Sequence, residues 1–194
     1  MKRLLLIVDP QNDFINGSLA VAEAEAKMQA LASYIAANAE RYQAIFVTMD
    51  SHPANHCSFA DNGGIWPPHC VLHTPGWDTP AYLDEALAQS QAIVLRYYKG
   101  TKTEKEEYSI FDNEEDGAAL ARHISEAIAN DATIDICGIA GDYCVLETLQ
   151  GLRTFVADKH IRVLTDYIAS IDGGEKLNGY LATSVGTRHG VSAI

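Results

Sequence analysis

Cys144 lies in the run Ile139-Ala140-Gly141-Asp142-Tyr143-Cys144-Val145, where a buried apolar stretch gives way to a helical pattern. A thiol at the first turn of a helix meets unpaired backbone N–H groups and the positive end of the dipole, and both favour thiolate. The same N–H groups suit a developing oxyanion. Asp9 ends another apolar run, Leu4 to Val8, and Lys99 follows the run Ala92 to Leu95. A carboxylate can take a thiol's proton and return it to a leaving group, and an ammonium can stabilise the charged pair. Asp9, Lys99 and Cys144 are therefore candidates for base, electrostatic bridge and nucleophile. Singly, each has a plainer reading: a turn cap, a solvated loop lysine and a small buried hydrophobe.

A second constellation is Asp50-Ser51-His52 with His56, followed by His69 in Trp66-Pro67-Pro68-His69. One carboxylate and three imidazoles so close in sequence suit a borderline divalent ion such as zinc, iron or manganese. Phe14, Trp66 and Tyr108 fall outside periodic segments. They suit either a planar ligand ring or packing beneath long loops. Cys57 and Cys70 adjoin the candidate ligands and read as ordinary thiols, while Cys137 lies within a strand and should be inert. His73, His123, His160 and His189 read as loop or surface histidines. The acidic stretches Glu104 to Glu107 and Asn113 to Asp116 read as solvated loop near the expected mouth.

These groups need elements to position them. Short apolar runs at Leu4–Val8, Ala44–Thr48, Ala92–Leu95, Thr133–Ile139, Ile161–Thr165 and Val191–Ile194 read as six strands. Between them lie helical patterns over 22–38, Leu83–Gln89, the face Leu120/Ile124/Ile128, the stripe Val145/Leu149/Leu152/Val156, and Glu175–Val185. Residues 97–116 read as polar loop. Residues 51–80 hold five of the six prolines and four of the seven histidines, which marks a functional loop rather than a linker. Alternation of helices with continuous apolar strands predicts an α/β fold with a parallel sheet covered on both faces. In such sheets ligands bind beyond the carboxyl ends of the strands, where Asp9, Asp50, Lys99 and Cys144 should all project.

The totals agree. A chain of 194 residues fits one domain, 1–194, with enough buried surface to need no staples. A net charge of −12 argues against nucleic acid and anionic membranes as partners. No apolar run approaches a membrane span or a signal-peptide core, so the four cysteines are expected to be cytoplasmic thiols.

With these residues assembled, the chain resembles the cysteine hydrolases of the isochorismatase-like superfamily, and within it the nicotinamidases. Leu6-Ile7-Val8-Asp9-Pro10-Gln11-Asn12-Asp13-Phe14 is similar to the family's N-terminal motif. Asp50-Ser51-His52 with His56, and Trp66-Pro67-Pro68-His69-Cys70, resemble its metal loop. Tyr98-Lys99-Gly100 and Gly138-Ile139-Ala140-Gly141-Asp142-Tyr143-Cys144-Val145 resemble the lysine and nucleophile segments. The resemblance implies a three-layer α-β-α hydrolase fold on a six-stranded parallel sheet. It implies one divalent ion, zinc first, on Asp50, His52 and His69 with His56 as a fourth, variable ligand. It further implies hydrolysis of nicotinamide to nicotinate and ammonia through a thioester, in NAD salvage. Asp9, Lys99 and Cys144 would be catalytic, the N–H groups of Ala140 and Cys144 the oxyanion hole, and Phe14, Trp66 and Tyr108 the ring contacts. A cis Ile139–Ala140 peptide is implied too, and a homo-oligomer is compatible. The family often has Thr where this chain has Gly141, so a looser turn is expected there.

Rival readings are another small-amide or carbamoyl hydrolase of the superfamily, or a non-haem iron oxygenase on the Asp/His cluster, which leaves Cys144 and Lys99 idle. A flavodoxin-like nucleotide binder lacks its phosphate loop, since Pro10-Gln11-Asn12 stands where it would be.

Overall fold

The computed structural model describes residues 2–185 and 192–193. Six strands form a single sheet: β1 (Arg3–Val8), β2 (Ala44–Asp50), β3 (Ile93–Lys99), β4 (Thr133–Ile139), β5 (Ile161–Ala169) and β6 (Ser192–Ala193). Their spatial order is β3-β2-β1-β4-β5-β6, and every pairing is parallel. The ends of the expected sixth strand, Val191 and Ile194, lie outside the described residues, as does His189.

This order makes β1 the pivot. The chain winds outward from it through α2 (Ala24–Ala37) and α3 (Ala81–Gln89), which pack on each other. It then returns through α4 (Asp116–Ala129) and winds the other way through α5 (Cys144–Leu152). Because β-α-β crossovers are right-handed, the reversal puts the two helix pairs on opposite faces. It also opens a crevice beyond the carboxyl ends of β1 and β4, the switch point of a doubly wound sheet. α6 (Glu175–Val185) follows β5.

The central strands are apolar on both faces because both faces are covered. Leu4 to Val8 are each no more than 1% exposed, and all seven residues of β2 are buried. At about 1.5–3 kcal/mol per large buried side chain, this core dominates the fold's stability. The edge strand β3 differs, with Ile93 exposed. Gly138 shows how closely the middle strands approach: its φ is +123°, and a Cβ there would lie 2.1 Å from the Val8 carbonyl oxygen.

Three expectations on elements change. β3 runs on through Tyr97, Tyr98 and Lys99, which were read as loop. Its ladder to β2 continues to Asp50–Lys99, and Asp116 Oδ2 accepts the Tyr98 N–H at 2.6 Å. β5 extends to Ala169 instead of ending at Thr165, because a register shift between Ile136 and Gly138 loops out Leu164 to Tyr167 and hides the alternation. A short helix, α1 (Asn12–Ile15), carries Phe14 where a loop was expected.

Candidate active site and metal centre

Asp9 stands just past β1, with φ +46°, and is fully buried. Thr48 on the neighbouring β2 fixes it: the Thr48 hydroxyl donates to Asp9 Oδ1 at 2.7 Å and accepts from the Asp9 N–H at 3.3 Å. Lys99, the last residue of β3, is also fully buried. Its ammonium lies 2.8 Å from Asp9 Oδ2, donates to Asp50 Oδ1, and lies 3.5 Å from Cys144 Sγ. Cys144 opens α5 and is buried. Four strand ends thus meet at the crevice.

Burial decides the resting charges. It opposes charge on Lys99, yet Asp50 and Asp9 outweigh it and hold the ammonium well above its ordinary value. Burial pushes the Asp9 carboxyl up, and Lys99 only partly offsets that. Asp50 is held well below the usual carboxylate range, since Lys99 and then His52 overcome burial. For Cys144, burial pushes the thiol well above its ordinary value despite Lys99, with Asp9 and Asp50 adding to the rise. Burial therefore opposes the bias toward thiolate that the helix N-terminus supplies. A carboxylate made more basic than usual is placed to remove the thiol proton.

Gln11, which the sequence reading did not single out, positions Asp50. Its amide oxygen accepts the Asp50 N–H at 2.8 Å, and its NH₂ donates to the carbonyls of Asp50 (2.8 Å) and Trp77 (2.9 Å). Asp13 does the same for the loop carrying His69, accepting from the Cys70 N–H at 2.7 Å. Neither contact leaves a periodic signal. Their one trace is polar residues directly after a buried strand.

Asp50, His52 and His69 bring one donor atom each within 4.8 Å of one another. His52 Nδ1 bonds the Gly100 carbonyl at 3.0 Å, and His69 Nδ1 bonds the Pro67 carbonyl at 2.8 Å. In each case a carbonyl partner at Nδ1 makes that nitrogen the donor and leaves Nε2 with its lone pair, the form that ligates metal. His52 Nε2 is buried without a hydrogen-bond partner, 3.6 Å from Asp50 Oδ2. An orphaned imidazole nitrogen beside a carboxylate and a second imidazole fits a divalent ion. Gly100 is required here: its φ is +64°, and a Cβ would lie 2.4 Å from His52 Cε1.

His56, the expected fourth and variable ligand, stacks on His52 with ring centroids 4.0 Å apart. Its Nδ1 meets Ser58 Oγ at 2.7 Å and its Nε2 meets the Lys105 carbonyl at 3.0 Å. Cys57, Cys70 and Cys137 are free thiols. Burial pushes Cys70 and Cys137 far up, which makes both inert.

Phe14, Trp66 and Tyr108 line one narrow pocket with Cys144, Ala140, Asp50 and His69. Trp66 Nε1 donates to the Tyr108 hydroxyl at 3.1 Å. Tyr143, unanticipated, completes the wall, its ring edge-on to Trp66 at 5.2 Å. The Ile139–Ala140 peptide is cis. Among the described residues neither the Ala140 nor the Cys144 N–H has a backbone acceptor. The turn at Gly141 is not loose: its N–H is held by the Ala169 carbonyl at 2.8 Å, and a Cβ would lie 2.1 Å from Ser170 Oγ. Of the acidic stretch, Glu107 is buried and structural, accepting from the Gly100 N–H at 2.9 Å, whereas Glu106 faces the pocket.

Replacing Thr48 by valine keeps the shape and removes the hydroxyl from Asp9. The expected result is a loss of about 1–3 kcal/mol in stability, read by denaturant unfolding, because the buried acceptor is left unmet.

Among the described residues no helix is long and apolar enough to cross a membrane. The isochorismatase domain family matches residues 3–180. The chain is 38% identical to the nicotinamidase/pyrazinamidase of Mycobacterium tuberculosis, covering 87% of each. It is 33% identical to the nicotinamidase of Escherichia coli, over 84% of this chain and 81% of that one. The crystal structure of the Pyrococcus horikoshii pyrazinamidase in complex with zinc superposes with a TM-score of 0.75 at 30% identity, over 100% of this chain and 99% of the other. The chain belongs to the isochorismatase family and groups within it with the nicotinamidases.

Proposed function

We propose that this chain, as one hydrolase domain, is a metal-dependent cysteine amidohydrolase that converts nicotinamide to nicotinate and ammonia. The observation that carries the reading is the meeting of Asp9, Lys99 and Cys144 beside an orphaned imidazole and an aromatic slot. The relatives named above are nicotinamidases and pyrazinamidases, which supports a planar heteroaromatic amide as substrate.

In this reading Phe14, Trp66 and Tyr108 sandwich the ring and exclude water. Asp9 removes the proton from Cys144 Sγ, and Lys99 balances the negative charge that moves from oxygen to sulfur. The thiolate attacks the carboxamide carbon, and the N–H groups of Ala140 and Cys144 receive the oxyanion. Asp9, now protonated, hands its proton to the departing nitrogen, so ammonia leaves and a thioester remains. Asp9 then takes a proton from water, the hydroxide so formed adds to the thioester carbon and expels the sulfur, and Asp9 returns its proton to Cys144 Sγ as the acid product leaves and ionises to nicotinate. Asp50, His52 and His69 would hold a divalent ion, zinc by chemistry of the donor set, which supplies a Lewis acid that orients a ring nitrogen.

Two measurements test this. Purified protein incubated with nicotinamide should release ammonia and nicotinate in equal amounts, and absence of both would end the proposal. Replacing His52 by alanine should lower bound metal from about one ion per chain to near zero by elemental analysis. Undiminished metal would remove His52 from the ligand set whatever the activity.

A further inference from the structure

Among the described residues, Glu106 is the one charged group lining the pocket that neither the proposed catalysis nor the proposed ligand set uses. It shares the pocket with Cys144, Trp66, Tyr108 and Tyr143. Its Oε1 accepts the Glu107 N–H at 3.0 Å, which pins the carboxylate in place. Among the described residues it has no ion-pair partner, and the ammonium of the adjacent Lys105 is engaged elsewhere. Lys105 Nζ pairs with Glu107 at 2.9 Å and donates to the Asp112 carbonyl. Lys176 Nζ lies 5.2 Å from the Tyr143 ring centroid and donates to the Asp142 carbonyl at 3.0 Å, not to Glu106. Deeper in the pocket one ammonium, Lys99, lies between two carboxylates, Asp9 and Asp50, so no cation there is left over for Glu106. Glu106, half-buried, therefore places a carboxylate without an ion-pair partner among the described residues on the pocket wall. Its reach is visible on Tyr108, where burial raises the phenol and Glu106 adds to the rise.

The proposed reaction changes ligand charge by one unit. A carboxamide is neutral, and the acid it becomes is ionised at neutral pH. We infer that Glu106 is a specificity-determining residue: its charge disfavours the carboxylate product over the neutral amide and so clears the pocket after each turnover. This rests on the amide-hydrolysis reading above. It extends to other anionic ring acids, which should bind poorly for the same reason.

The test compares the inhibition constant of nicotinate with the KM of nicotinamide, using metal-loaded wild type and Glu106→Gln. Glutamine keeps the acceptor for the Glu107 N–H and removes only the charge. The nicotinate constant should fall about five-fold relative to KM, the size expected of one charge pair in partly screened surroundings. A ratio unchanged within two-fold would overturn the inference. Wild type alone offers a second arm, free of folding concerns. Raising salt from about 20 to about 300 mM should tighten nicotinate relative to nicotinamide by screening Glu106, and the opposite trend overturns the idea. If nicotinamide is not hydrolysed, the functional reading fails. Calorimetric titration of nicotinate into both proteins then still decides the charge effect, with equal affinities ending it.

Discussion

Cys144→Ala should abolish ammonia release from nicotinamide, by at least about three orders of magnitude in kcat, while elemental analysis finds the metal content unchanged. The size follows from removing the atom that forms the covalent bond. The separation of effects follows from the geometry. Cys144 Sγ is bonded to Lys99 Nζ at 3.5 Å, but the candidate ligands Asp50, His52 and His69 are held by Gln11, Gly100 and Pro67. Loss of the sulfur leaves those supports in place. Mass spectrometry of wild type quenched during turnover should show a nicotinoyl adduct on Cys144, absent from the variant. Retained turnover in the variant would refute the covalent route.

Lys99→Met should be the most destabilising substitution in the site, by about 3–5 kcal/mol. Lys99 is fully buried between Asp9 and Asp50, both themselves buried. Without it two carboxylates face each other out of water. The sign with pH separates this mechanism from simple misfit. In wild type the Asp50 carboxyl is held low, so its contribution to stability is present above the unfolded value of about 3.9 and is lost as pH falls. In the variant the ammonium that held Asp50 low is gone, and burial raises both carboxyls. The folded state then binds more protons than the unfolded chain, so stability should recover as pH is lowered from about 7.5 to about 5.5. Thermal unfolding at the two values reads this directly. A deficit that does not shrink at the lower pH would point to lost packing rather than to unpaired charge.

How far the sequence could be read depended on burial pattern. Asp9, Asp50 and Cys144 were placed because each closes a run of continuously apolar residues, the mark of strands covered on both faces. Lys99 was assigned to the right neighbourhood but to a loop. β3 is an edge strand, so Arg96, Tyr97 and Tyr98 lack the apolar continuity that identified the others. The far half of β5 was hidden by its bulge. Thr48 and Gln11 went unseen for another reason. A buried hydroxyl or amide that serves a catalytic or ligand carboxylate is specified by its partner across the sheet, and no local spacing encodes that partner. His56 has contacts that sequence spacing does not encode: Ser58 Oγ and the Lys105 carbonyl meet its two nitrogens. The enclosure of Cys144 was also out of reach of local spacing: helix position favours thiolate, and burial opposes it.

The strand order has a bearing on biosynthesis. β1 is flanked by β2, made soon after it, and by β4, whose paired residues follow those of β1 by 130 positions (Thr133 against Arg3). A nascent chain that has emerged only as far as α3 holds Asp9 and Asp50 but neither the amine nor the sulfur. The assembly is inert until β4 slots in beside β1, the step with the longest sequence separation in the central sheet. Turnover by this molecule is therefore a sensitive gauge of completed folding: truncated or stalled chains carry most of the polypeptide and none of the chemistry.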